Sequence, residues 1–114
     1  MPCCLADDRG SVTAEFAIVL PAAVLVLGLC LAALSGAATH IANAAIARDA
    51  ARSLSRGSAD AEVSYSVAVA RPRASMVIER SALAVCVRLS ESIPGMDLIE
   101  AIPPLEVSSC AVRE

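Results

Sequence analysis

The feature that most constrains this chain is an apolar run that carries no charge from Phe16 to Ala38. As a helix rising about 1.5 Å per residue, the run is about 34 Å long and can cross a hydrocarbon core of about 30 Å. The charge-free stretch continues to Ala47, but His40 and Asn43 make its last part suited to a membrane interface. The sequence therefore predicts one transmembrane helix, and a chain of 114 residues leaves only a small domain beyond it.

The composition excludes several functional classes. The chain has one phenylalanine, one tyrosine and no tryptophan, so it lacks aromatic platforms on which nucleic-acid bases stack. Its net charge of −3 gives no overall basic surface, and we expect no nucleic-acid partner. His40 is the only histidine, which gives little support to a His/Cys metal site or a Ser-His-Asp triad. We therefore expect no metal, no cofactor and no catalytic residue, and a small membrane-bound enzyme is the remotest alternative.

Three kinds of protein carry such a run near the amino terminus. A cleaved secretory signal accounts for the small residues of SGAATHIANA, but the apolar core is long for one and the leading MPCCLADDR contains two aspartates. A plain single-pass anchor accounts for the length but leaves Glu15, a lone acid at the start of the run, unexplained. In the third kind a polar leader, residues 1–10, is cut off after Gly10, so that Ser11 becomes the first residue and Glu15 the fifth.

The stretch DRGSVTAEFAIVLPAAVLVL resembles this third kind, the type IV prepilin signal. More narrowly, it resembles the opening of the TadE-like family of pilus-assembly proteins. The residues that fit that opening are Arg9, Gly10, Glu15, Phe16, Ala17 and Pro21. ARDAARSLSRG at 47–57 is similar to the helix that follows the membrane span in this family, and VCVRLS and IPPLEVSSCAV are similar to its closing strands. The resemblance covers most of the chain.

The resemblance implies a minor pilin or pseudopilin of a Tad/Flp-type pilus or a related secretion apparatus, without enzymatic activity. The partners it implies are prepilin peptidase, the major Flp-type pilin, other minor pilins, an inner-membrane assembly platform with its ATPase, and membrane lipid. It makes Gly10 and Ser11 the processing site and Glu15, Phe16 and Pro21 the assembly residues. In the pilin scheme, Glu15 pairs with the α-amino group that cleavage frees on Ser11 of a neighbouring subunit.

Simpler interpretations of these residues stay open. Glu15 fits the first turn of a helix, where a carboxylate complements the helix dipole. Pro21 lacks an amide donor and kinks a helix, which can be a bend without any role in assembly. Gly28, Ala32 and Gly36 recur at every fourth position and permit close helix approach, although alanine is so frequent here that chance also produces the pattern.

The arginine distribution opposes the orientation that the resemblance implies. Arg9 is the only basic residue before the run, whereas Arg48, Arg52 and Arg56 follow it on one face of an amphipathic helix. The positive-inside rule alone therefore places the carboxyl end in the cytoplasm. A pilin-like chain needs the reverse, because its leader must lie where the peptidase cuts. We expect the latter topology: a single-pass protein of the cell membrane, its carboxyl-terminal domain outside, incorporated in a cell-surface pilus.

The predicted fold class is α+β. Residues 11–57 are expected to form a transmembrane stem with an amphipathic extension that stops at Gly57, and residues 58–114 a small extracytoplasmic domain. Residues 59–70 fit a strand or a helix; the family resemblance favours a short helix, with Ser58 as its cap and Pro72 at its end. An antiparallel sheet of about three strands follows, with a proline-containing loop before the last one; the strands are ASMVIE at 74–79, LAVCVRL at 83–89 and LEVSSCAV at 105–112.

The five cysteines divide by position. Cys3 and Cys4 precede the apolar run and Cys30 lies inside it. A CC pair without another ligand nearby is a poor metal site. Cys86 and Cys110 fall in the second and last predicted strands, where they form a candidate disulfide in an oxidising compartment. Two reduced, buried thiols are the alternative, which follows if the domain is cytoplasmic. A disulfide here is not a general mark of the resembled family.

Overall fold

A computed structural model describes residues 9–93, 95 and 99–114 of the chain. Most of the predicted leader, including Cys3 and Cys4, and part of the predicted loop before the last strand therefore lie outside the described residues. The elements in chain order are α1 (Arg9–Ser55), α2 (Asp60–Ala70), β1 (Ser75–Arg80), β2 (Ala84–Glu91) and β3 (Leu105–Val112). The α+β prediction, with a long amino-terminal helix, a short second helix and three antiparallel strands, is confirmed.

The chain divides into two compact units, one ending at Ser35 and the other running from Gly36 to Glu114. The division falls inside α1, so the last part of this helix belongs to the same unit as the sheet. The predicted boundary between stem and domain, at residue 57, lies two residues after the end of α1.

The first part of α1 presents apolar side chains on all sides. Every large apolar side chain from Val12 to Leu34 is between 54% and 74% exposed. The sequence explains this pattern, because the run has no polar side and hence no single apolar stripe to bury. The helix continues through Pro21. It is long and apolar enough to cross a membrane.

The end of α1 is fixed by Gly57. This residue has a φ of +96°, a left-handed conformation that glycine adopts without steric cost. The amide of Gly57 donates to the carbonyl of Leu54 at 3.1 Å, and the amide of Ser58 donates to the carbonyl of Ser53 at 3.1 Å. These two bonds satisfy carbonyls that the last helical turn leaves free, so the predicted stop at Gly57 is confirmed.

Residues 60–70 form a helix rather than a strand. Val63 and Val67, four positions apart, are buried, whereas Tyr65 is 73% exposed. The favoured helix is therefore confirmed over the strand alternation. The predicted cap is wrong: Ala59 occupies the cap position, and no side chain there bonds the first amides.

The sheet has the order β1-β2-β3, and both pairings are antiparallel. In the central strand, Val85, Val87 and Leu89 are buried and alternate with Cys86 and Arg88 on the opposite face. The buried face packs with residues of both helices in one core. Its members are Ala47, Ala50, Ala51, Leu54, Val63, Val67, Val85, Val87, Leu89 and Val107.

Candidate functional site

The predicted processing site lies in the first turn of α1, which begins at Arg9. Gly10 and Ser11 are both exposed, and open space surrounds the Gly10 α-carbon on its side-chain side. The amides of a first helical turn have no carbonyl partner within the helix, and glycine is a weak helix former. Gly10 and Ser11 thus both lie on the exposed surface at the start of the described part of α1.

Glu15 lies one turn further along α1 and is exposed. Glu15 lies beyond the first described turn of α1, which starts at Arg9 and contains no acidic residue. Within the described part of the chain, the Glu15 carboxylate has neither a hydrogen-bond nor an ion-pair partner. Any partner of the Glu15 carboxylate therefore lies outside the described residues or in another molecule.

The other two predicted assembly residues lie on different sides of the helix. Phe16 follows Glu15 directly and is 66% exposed. Pro21 comes six positions after Glu15, which places it on another side of α1. Because proline has no amide hydrogen, the carbonyl of Ala17 lacks its usual donor there. The structure thus places the three side chains on different sides of α1, since consecutive residues point about 100° apart around a helix.

Cys86 and Cys110 form a disulfide across the sheet. They face each other directly in the pairing of β2 with β3, and their Cα atoms are 4.0 Å apart. The bond lies on the face of the sheet that is turned away from the helices, and Cys110 is exposed. The disulfide therefore cross-links β2 to β3 without filling the core. Cys30, in contrast, is a free and exposed thiol on α1.

A buried polar triangle, which the sequence analysis did not find, connects three elements of the second unit. Asn43 on α1 donates from Nδ2 to Glu91 Oε2 at 2.9 Å and accepts from Arg71 Nε at Oδ1, also at 2.9 Å. Arg71 Nη2 lies 3.2 Å from Glu91 Oε2. That contact is ionic, because Arg71 Nη2 has no partner in hydrogen-bond geometry among the described residues. The triangle holds α1, the segment after α2 and the end of β2 to one another.

Two sequence signals could have located this triangle. Asn43 precedes the core residues Ala47 and Ala50 by four and seven positions, the spacing of one helix face. Glu91 continues the alternation of Val87 and Leu89 along β2, which places it on the buried face. A carboxylate that is buried in this way requires polar partners, since an unpaired buried charge is costly.

One exposed ion pair joins α2 to the end of β1. Arg80 Nη1 donates to Asp60 Oδ2 at 2.8 Å, and Arg80 Nη2 donates to Asp60 Oδ1 in a second, parallel hydrogen bond. The hydrogen bonds from the Arg80 guanidinium, together with its positive charge, lower the pKa of the Asp60 carboxyl below its ordinary value. The same pairing raises the pKa of Arg80.

The described residues contain no group of three or more histidine, cysteine or acidic side chains arranged to hold a metal ion. Comparison of the chain with protein-family models, with curated proteins and with solved structures finds no match. The molecule is an α+β chain whose amino-terminal helix is long and apolar enough to serve as a membrane anchor.

Proposed function

We propose that this chain is a minor pilin or pseudopilin-like component of a Tad/Flp-type pilus or a related secretion apparatus. It inserts in the cell membrane through α1, is cut after Gly10 by prepilin peptidase, and assembles with pilins through its apolar helix. The platform and ATPase of the assembly machinery then act on it as a subunit and not as an enzyme. The proposal rests on the TadE-like resemblance of residues 8–27 together with the features described above.

The observation that carries the proposal is the position of Glu15. It is exposed on a helix whose surrounding surface is apolar, and no described residue pairs with it. An ionised side chain in a membrane is costly, and intramembrane acids usually pair with another group. Cleavage after Gly10 creates such a group, the α-amino group of Ser11, which carries a positive charge near neutral pH. A plain anchor gives no reason to keep this acid.

The disulfide supports the proposed orientation. Disulfides persist in oxidising compartments outside the cytoplasm and are rare inside it. The bond between Cys86 and Cys110 therefore favours an extracytoplasmic location for the second unit, against the distribution of Arg48, Arg52 and Arg56.

The mature amino terminus tests the proposal. Full-length protein is extracted from membranes of cells with and without a prepilin peptidase, and its intact mass and terminal sequence are measured. We expect a peptidase-dependent start at Ser11. An intact leader in both strains contradicts the proposal and favours a generic single-pass membrane-anchored extracellular protein. A start near residue 40 would instead identify a secretory signal.

A variant of Glu15 tests the assembly step separately from processing. Glu15→Ala should still insert and be cut, because the glycine and the apolar run remain, but it should be missing from sheared pilus fractions. Glu62→Ala removes an exposed acid from α2 and serves as the matched control, with normal assembly expected. Normal incorporation of Glu15→Ala would contradict the assembly role of Glu15.

A further inference from the structure

The disulfide between Cys86 and Cys110 is open to solution on the face of the sheet that is turned away from the helices. Cys86 is partly exposed and Cys110 is exposed, whereas Val85 and Val87, the neighbours of Cys86 in β2, are buried on the opposite face. The rate of thiol–disulfide exchange depends on whether a thiolate can reach one of the two sulfur atoms. A reagent in solution can reach this bond without first opening the core.

The bond also lies outside the hydrogen-bond ladder that joins β2 to β3. The amide of Arg113 donates to the carbonyl of Leu83 at 3.0 Å, which makes these two residues a hydrogen-bonded pair three positions from Cys86 and Cys110. Hydrogen-bonded and non-hydrogen-bonded pairs alternate along an antiparallel ladder, so Cys86 and Cys110 form a non-hydrogen-bonded pair. Opening the disulfide therefore removes neither a ladder hydrogen bond nor a core side chain.

Three charged side chains of the described strands share this face with the disulfide. Glu79 lies directly opposite Cys86 in the pairing of β1 with β2, and the Cβ atoms of such partners are about 5 Å apart. Arg88 Nη2 lies 3.3 Å from Glu79 Oε1, and Arg88 Nε lies 3.5 Å from Glu106 Oε1. Two carboxylates and one guanidinium leave an excess of one negative charge, which repels an approaching thiolate.

We propose that Cys86 and Cys110 form a thiol–disulfide exchange site, which a dithiol opens while the second unit stays folded. Because Cys110 is the more exposed of the two residues, its Sγ is the atom that the dithiol attacks. The inference concerns the second unit alone and does not rest on the proposed function, so either proposal can fail without the other.

The exchange takes place in two steps. A thiolate of the dithiol forms a bond to Cys110 Sγ, the bond between the two protein sulfurs breaks, and its electron pair leaves on Cys86 Sγ, which takes up a proton. The second sulfur of the dithiol loses its proton, attacks the first and releases Cys110 as a thiolate, which is protonated in turn. The protein disulfide is thereby reduced by two electrons, and the dithiol is oxidised to a disulfide.

Opening the site changes what holds β3 in place. Among the described strands, β3 lies at the edge of the sheet and pairs only with β2. It contributes Val107 to the core and Ala111 to the margin of the core. Without the disulfide, these two side chains and the ladder alone hold β3. The order of β3 therefore depends on the redox state of the site, whereas α2 keeps its own core contacts.

Reduction kinetics of the folded protein test the site. Full-length protein carrying Cys3→Ser, Cys4→Ser and Cys30→Ala is solubilised in detergent and treated with dithiothreitol over a range of concentrations. Free thiols are alkylated at intervals and counted by intact mass. We expect the rate to rise in proportion to the dithiothreitol concentration and to be unchanged by urea too dilute to unfold the protein. A rate that levels off at the unfolding rate, measured by exchange of core amides, would overturn the proposal.

A charge variant tests the surroundings of the site. Glu79→Gln removes the excess negative charge beside Cys86 and should raise the rate of reduction several-fold at constant pH and low salt. Glu62→Gln removes the same charge from α2, away from this face of the sheet, and is the matched control with an unchanged rate. Equal rates for Glu79→Gln and the parent would contradict the influence of these charges on the site.

Two further measurements locate the chemistry and its effect. Mercaptoethanol, a monothiol, leaves a mixed disulfide that is trapped by acid and located by peptide mass; we expect it on Cys110, and an adduct mainly on Cys86 would overturn the choice of sulfur. Hydrogen exchange of the reduced protein should be several-fold faster in β3 amides while α2 amides stay protected. An equal loss of protection in α2 and β3 would show that reduction unfolds the whole unit, and would overturn the proposal.

Discussion

The two units of this chain differ in how far they bury their large apolar side chains. From Val12 to Leu34, every large apolar side chain is more than half exposed. In the unit that runs from Gly36 to Glu114, Val85, Val87 and Leu89 are at most 1% exposed. Burial of apolar surface is the main favourable contribution to folding in water. The second unit therefore builds its own core, whereas the described residues of the chain leave the apolar side chains of the first helical segment uncovered.

Residues of α1 belong to both units, and the composition of this helix changes along its length. The apolar run has bulky side chains all round, but the last turns of α1 place Ala47, Ala50 and Ala51 toward the core. Alanine favours helix and takes little space, so α2 and the sheet can approach closely. Arg48 and Arg52 on the remaining surface stay exposed.

The largest expected effect comes from removing core volume. Leu89→Ala should lower the free energy of unfolding of the second unit by about 2–5 kcal/mol, because the side chain is fully buried and a cavity replaces it. Leu25→Ala makes the same change where the side chain is 63% exposed and should leave the second unit unaffected. Hydrogen exchange of β2 amides in detergent-solubilised protein measures both. Equal losses for the two variants would break the contrast between the units.

The disulfide provides the next largest effect. Replacing Cys86 and Cys110 by alanine releases a loop with a sequence separation of 24 and should cost about 3–4 kcal/mol in the chain-entropy account. The loss should be greatest for β3 amides, since β3 contributes only Val107, itself 9% exposed, to the core. Cys30→Ala is the control and should change nothing in the second unit. Unaltered exchange of β3 amides in the double variant would show that strand pairing alone holds β3.

Much of the fold could be predicted from the sequence, and the reasons are local. The apolar run and the stop at Gly57 follow from residue types whose physical effects need no tertiary context. The alternation of Val85, Val87 and Leu89 gives β2 its buried face in the same way. Cys86 and Cys110 were the natural pair because both fall in predicted strands, and the structure joins them.

The features that were not predicted depend on contacts between residues that are distant in sequence. Asn43 looked like an interfacial residue, because its partners Arg71 and Glu91 lie 28 and 48 positions away. The predicted cap of α2 was wrong. The amide of Ser58 bonds to the last turn of α1, and Ser58 lies one residue before Ala59, which occupies the cap position of α2. The role of Glu15 stays a prediction, since its partner is not among the described residues.

The buried polar triangle gives a smaller effect than the core. Asn43→Leu removes the amide that donates to Glu91 and accepts from Arg71, so Arg71 Nε loses its partner and the buried Glu91 keeps only its ionic contact with Arg71. We expect a loss of about 1–3 kcal/mol in the second unit, measured by the same exchange experiment. His40→Leu, on the exposed side of the same helix, is the control and should be neutral. A neutral Asn43→Leu would show that packing alone fixes α1 against the sheet.

The smallest expected effect is the acid sensitivity that comes from the pair of Asp60 with Arg80. Because pairing with Arg80 lowers the folded pKa of Asp60 below its ordinary value, the pair stabilises the fold above about pH 4 and loses this contribution as the pH falls through the folded pKa. Both side chains are largely exposed, so solvent screening keeps the contribution small. Asp60→Asn should thus be slightly less stable than the parent at pH 7 and should approach it as the pH falls through the folded pKa of Asp60, in stability measured from pH 7 downward. Glu62→Gln, which also removes a carboxylate from the first turn of α2, is the control and should not reproduce this convergence. A constant difference between Asp60→Asn and the parent at every pH would mean that the variant changes packing and not the ion pair.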